Sequence, residues 1–191
     1  VEYYLAFLYW LLGGFREVPF RLLFSVFPIV CVLAFYQLAR RFTPHPFFLS
    51  LLFAASPAFF VYSPTLMMDI PMLAFLLLGF ALYFSYLDGR PKLLPLASLC
   101  FVLAVGTGYT ALAPLGCFGI GLLAARRPLK ELAAVGAAPA VLVLWLAAIT
   151  THFGSFPFVR IVGYYASRGS MFQNLLATLS FLGAVVVCPW P

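Results

Sequence analysis

The stretch Ser63-Pro64-Thr65-Leu66-Met67-Met68-Asp69-Ile70-Pro71-Met72 leads into a long apolar run, Ile70 to Leu87, that stops at Asp88-Gly89-Arg90-Pro91-Lys92. A run of this length without an ionisable side chain reads as a membrane-spanning helix. Asp69 stands at its first step. A carboxylate is costly at a bilayer boundary unless it meets water or a polar cavity. A helix N-terminus also favours negative charge. The fold and the leading functional candidate are therefore read from one segment.

The same pattern repeats on both sides. Spans are expected at about Phe20 to Ala39, Pro46 to Tyr62, Ile70 to Leu87, Leu93 to Val105, Tyr109 to Ala125 and Leu132 to Ile149. Runs of 13 to 17 residues are short for a crossing, so several helices should extend into their flanks. Gly106-Thr107-Gly108 separates the fourth span from the fifth. Residues 1–14 are apolar and aromatic, end at Gly13-Gly14, and read as a helix lying in the interface. A polar and aromatic loop, 150–174, precedes a seventh apolar run, Leu175 to Val187, that reads as truncated. The expected fold is an all-α, multi-pass transmembrane bundle of about six full spans, forming a single domain over 1–191. The chain reads as a fragment cut at both ends. Pro28, Pro57, Pro114 and Pro139 fall inside expected spans, where they suggest kinks.

Composition agrees. The chain is 65% hydrophobic and 8% charged, with mean hydropathy +1.09, against about 25% charged residues in a soluble domain. The net charge of +6 is spread in short clusters between apolar runs, the pattern of membrane-flanking loops rather than of a nucleic-acid surface. Arg40, Arg41, Arg90, Lys92, Arg126, Arg127 and Lys130 sort to one side. Arg16, Arg21, Arg160 and Arg168 sort to the other. The richer side is read as cytoplasmic. Glu2, Glu17 and Asp69 then share the outer side with the loop holding His152, Arg160, Tyr164, Tyr165 and Arg168.

Asp69 can bind a divalent metal or orient a polar substrate; it can equally cap its helix or pair with Arg160 or Arg168. No cofactor is otherwise indicated. Glu2, beside Tyr3 and Tyr4, can form a sugar subsite or anchor an interfacial helix. Arg160 and Arg168, with Tyr164, suit a phosphate group, because guanidinium binds phosphate through two parallel hydrogen bonds; both can also be solvated loop charges. Cys31, Cys100, Cys117 and Cys188 all lie in apolar runs, with no paired-cysteine spacing for zinc. The motifs of soluble nucleotide-binding proteins, zinc proteases and serine hydrolases are absent from the sequence.

The order Glu2-Tyr3-Tyr4-Leu5, Gly13-Gly14-Phe15-Arg16-Glu17-Val18-Pro19-Phe20-Arg21, Leu38-Ala39-Arg40-Arg41-Phe42, Ser56-Pro57 and Met67-Met68-Asp69-Ile70-Pro71-Met72 resembles the GT-C membrane glycosyltransferases, in the family 39 and aminoarabinose-transferase-like group. The resemblance covers about residues 2–150. It implies a multi-pass protein of the bacterial inner membrane that moves a sugar from a polyprenyl-phosphate carrier to a protein, lipid or glycan on the outer face, usually with inversion and in some members with a metal. It also implies that the principal catalytic acid lies upstream of Val1, and that Asp69 matches the second acidic position. Many members carry a basic residue in the turn that here reads Gly106-Thr107-Gly108-Tyr109. Its absence shifts any carrier-phosphate contact to Arg160, Arg168 or another segment. The alternative reading is a transporter or lipid flippase, which predicts charges near the midplane of broken helices; here the acids sit near span ends.

Overall fold

In the computed structural model, the residues described are 9–10, 13–14, 17–63 and 67–153. They fold into α-helices, with no strand among them. Apolar runs of this kind leave the backbone no partner but itself, and a helix satisfies every group within one segment. The helices are α1 (Glu17–Phe24), α2 (Val26–Phe42), α3 (Pro46–Ala55), α4 (Pro57–Tyr62), α5 (Asp69–Leu87), α6 (Leu93–Thr107), α7 (Leu112–Ala124) and α8 (Leu129–Phe153). A single 3-10 turn, Tyr109–Ala111, leads into α7. Three stretches are long and apolar enough to cross a membrane: Glu17–Phe42, Asp69–Leu87 and Leu129–His152. Pro46–Ala55, Leu93–Thr107 and Tyr109–Ala124 are shorter apolar helices. Of the short runs read from sequence, Leu93 to Val105 grows to Thr107, whereas Pro46 to Tyr62 divides into α3 and α4 and Tyr109 to Ala125 into the 3-10 turn and α7; the longer run Leu132 to Ile149 extends at both ends.

Of the expected interfacial helix, residues 9–10 are helical, and Gly13 takes φ +66°. That left-handed conformation suits glycine and ends helices.

The prolines refine the kink reading. Pro46 and Pro57 open α3 and α4, and Pro57 breaks the expected second span into two helices. Pro71, Pro95 and Pro114 each stand third in their helices, where a first-turn N–H has no intrahelical acceptor and nothing is lost by its absence. Pro139 lies in a helix interior, and Pro28 lies inside the continuous stretch Glu17–Phe42, where the missing N–H leaves the Phe24 carbonyl without its i+4 donor at the α1–α2 junction. Ser56 before Pro57 is extended at ψ 136°, as the proline ring demands of its predecessor, and its hydroxyl accepts from the Phe59 N–H at 3.4 Å. The α1–α2 junction is milder: Ser25 stays helical and donates its hydroxyl to the Leu22 carbonyl at 2.6 Å.

The chain divides into two compact units, 1–142 and 143–191, with the boundary inside α8. In the first, α5 is central and packs against α2 on one flank and α6 on the other. On the α6 flank, Phe101 is fully buried, and the Cβ that Gly79 lacks would stand 2.6 Å from its ring. Gly79 therefore allows a close helix crossing that a side chain would block. On the α2 flank, Cys31, Phe59, Ile70 and Ala74 form a second buried cluster, and the Cys31 thiol lies 3.6 Å from the Ile70 carbonyl. In the second unit, residues 143–153 complete the helix, and Thr150 donates to the Leu146 carbonyl at 2.7 Å.

Side-chain contacts sort the helix ends. Arg41 at the end of α2 pairs with Asp88 at the end of α5, and Glu131 at the start of α8 is held by Tyr83 and Tyr86 of α5. These define a basic end. At the opposite end of α5, Met72 meets Thr110 and Gly108.

Candidate active site at the start of helix α5

Asp69 is the first residue of α5 and is exposed. Met68 holds the N-cap position, with no side-chain cap bond. The capping role expected as one alternative for Asp69 is therefore not the one it takes. Its carboxylate makes no hydrogen bond or ion pair with the described residues. The first-turn N–H groups and the helix dipole still favour its negative charge.

One turn further on, Met72 receives the Thr110 hydroxyl at 3.0 Å. A Cβ on Gly108 would stand 2.7 Å from the same sulfur. The turn Gly108–Thr110 thus lies against the first turn of α5. A basic side chain at position 108 would need the Met72 thioether to swing away, which gives a local physical reason for the glycine there. Tyr109 beside it is exposed, as are Met67 and Met68. The result is a polar step, Asp69, with exposed aromatic and thioether surface around it.

On α1, Glu17 and Arg21 form an i,i+4 ion pair at 2.7 Å, both largely exposed. Each is engaged locally. His152 sits in the last turn of α8, and His45 precedes α3 on an exposed loop. Glu2, Arg160, Tyr164 and Arg168, the other candidates, lie outside the described residues.

The residues present do not make a metal site by themselves. No group of three His, Cys, Asp or Glu gathers among the described residues. Among the described residues Asp69 offers a single carboxylate, where a divalent cation takes several oxygen ligands.

The most constrained carboxylate belongs to a residue the sequence did not single out. Glu131 is only 3% exposed. Its Oε2 accepts the Tyr83 hydroxyl at 2.6 Å and its Oε1 the Tyr86 hydroxyl at 3.1 Å. The Lys130 ammonium lies 5.7 Å from the Tyr86 ring centroid. Both carboxylate oxygens are thus satisfied, as a buried charge requires. With its partners on α5 and its own place at the start of α8, Glu131 ties two helices together at the basic end. The Arg-Arg-Pro-Leu-Lys sequence around it makes Glu131 look solvated; the one hint is that Tyr83 and Tyr86 are spaced i,i+3 on one helix.

A family model described as dolichyl-phosphate-mannose-protein mannosyltransferase matches residues 1–153. No curated protein and no solved structure matches the chain.

Proposed function

The chain belongs to the dolichyl-phosphate-mannose-protein mannosyltransferase family, and from that premise we propose that it serves transfer of a sugar from a polyprenyl-phosphate carrier to an acceptor on the non-cytoplasmic face of the membrane. The family implies a membrane glycosyltransferase with a lipid-linked donor. Protein, lipid and glycan acceptors all fit this reading. The observation that carries the assignment of a site is Asp69: an exposed carboxylate at a helix start, with no partner among the described residues, at the opposite end of α5 from the basic cluster.

The chemistry is displacement at the anomeric carbon. An acceptor hydroxyl or amine forms the new bond, the bond from that carbon to the phosphate oxygen breaks, and the acceptor proton passes to a general base. The departing phosphate keeps the electron pair and needs positive charge beside it; Arg160 and Arg168 are proposed for that task, with Tyr164 and Glu2 lining the sugar. Asp69 orients the polar groups of donor or acceptor. This division gives each charged candidate a role that its chemistry allows.

The direct test is Asp69→Asn in the enzyme expressed in its own membrane. Sugar transfer should fall at least about tenfold, a barrier change of about 1.4 kcal/mol, with unchanged insertion. Full activity would remove Asp69 from the site. The bilayer orientation proposed here, with the Lys- and Arg-rich end cytoplasmic, has its own check. Cysteines placed at Ser63 and Ser155 should react with an impermeant reagent in intact cells; reaction only after permeabilisation would reverse the topology.

A further inference from the structure

An open groove of about 410 Å³ lies between α2, α3, α5 and α7, remote from Asp69. Five phenylalanines, two leucines and Ala39 make its entire lining. It starts at the basic end, where Phe42 and Phe84 meet edge-on at 5.8 Å. From Phe42 it reaches Phe35, two helical turns or roughly 10 Å deeper. The size is that of a small-molecule site, within about 300–1,000 Å³.

The rim carries charge. The Arg41 guanidinium carbon lies 5.5 Å from the centroid of Phe84, and Arg41 pairs with Asp88. Arg90 and Lys92 follow Asp88 in the same loop, both exposed. The two carboxylates of this end are taken, Asp88 by Arg41 and Glu131 by two tyrosines. No carboxylate at this end is left to neutralise Arg90 and Lys92. An apolar cleft therefore opens beside uncompensated positive charge, and basic pockets between membrane helices attract anionic headgroups.

We infer that the groove holds one hydrocarbon chain of an anionic phospholipid, whose headgroup is bound by Arg90 and Lys92 beside the Arg41–Asp88 pair. The chain fills the Phe-lined cleft and the charges select the headgroup. The site is separate from sugar transfer and stands whether or not that reading holds.

The test is lipid retention by the protein extracted in mild detergent, read by native mass spectrometry. Phosphatidylglycerol and phosphatidylcholine with identical chains are offered in equal amount. The wild type should retain phosphatidylglycerol preferentially, by about fivefold for each basic residue engaged. The double substitution Arg90→Gln and Lys92→Gln should keep a bound lipid but lose the preference. Leu49→Trp, at a 40% exposed position on the lining, should reduce retention of both lipids; Ala39→Phe, from the buried floor, should do the same if it folds. Equal retention of the two lipids by the wild type would overturn the proposal. So would undiminished phosphatidylglycerol retention by folded Leu49→Trp protein.

Discussion

The two ends of α5 treat their carboxylates in opposite ways. At the basic end, Asp88 is paired with Arg41 and Glu131 is buried under two tyrosine hydroxyls. At the other end, Asp69 is exposed, with no partner among the described residues. The difference separates acids that hold helices together from an acid left open to react. A charge that is already satisfied cannot also bind a substrate without giving up a partner. Residue type alone does not distinguish them; the partner does.

That contrast can be broken by mutation, and the effects on stability should fall in the order Glu131, Gly79, Arg41 and Asp69. Glu131→Ala should be the most severe. It strips the acceptor from two buried or half-buried hydroxyls and unties α8 from α5, for a loss of about 3 kcal/mol, measured by chemical unfolding in micelles. A loss below about 1 kcal/mol would mean that water replaces the carboxylate and that the contact does not organise this end.

Gly79→Val comes next and probes the packing between the ends. Its new methyl groups enter the space of Phe101, and overpacking of this kind destabilises by about 1–3 kcal/mol. The same unfolding assay reads it. Near-neutral behaviour would show that α6 can retreat from α5 freely.

Arg41→Gln should cost less, about 0–1 kcal/mol, because the Arg41–Asp88 pair is partly exposed and screened by solvent. The effect should shrink as salt is raised. Asp69→Asn should be the mildest for stability, within about 0.5 kcal/mol, although it is the variant expected to reduce sugar transfer most. A large stability loss there would turn Asp69 into another structural acid and erase the distinction between the two ends.

The helices themselves were legible. Among the described residues the apolar runs became helical, because hydrocarbon offers the backbone no other partner. The boundaries were harder. The run Pro46 to Tyr62 read as one span, but the Ser56-Pro57 step divides it, since the residue before proline is driven out of helical conformation. Pro114 read as a kink and proved to lie in a first turn, because hydropathy does not mark where a helix begins.

The candidate site was half legible. Asp69 stood out as an acid directly before a long apolar run, and the Gly106-Thr107-Gly108 turn stood out as a departure from the family pattern. That the turn and α5 meet at Met72 required the fold, since Thr110 lies 38 residues away in sequence. Glu131 was barely legible. Its partners are 48 and 45 residues distant, and the basic cluster Arg126, Arg127 and Lys130 just before it reads as a solvated loop.

The sequence by itself determined that this is a helical membrane protein, where its apolar runs lie, which side collects its basic residues, and which family it joins. These are properties of hydropathy, length and local charge, and each is set within one helix or loop. Only the tertiary structure decided which carboxylates are engaged and which is open. A hydrogen bond or ion pair needs two groups within about 3 Å, and the helix packing around α5, fixed by Gly79, Phe101 and the cluster at Cys31, is what brings some pairs that close and leaves Asp69 without one among the described residues.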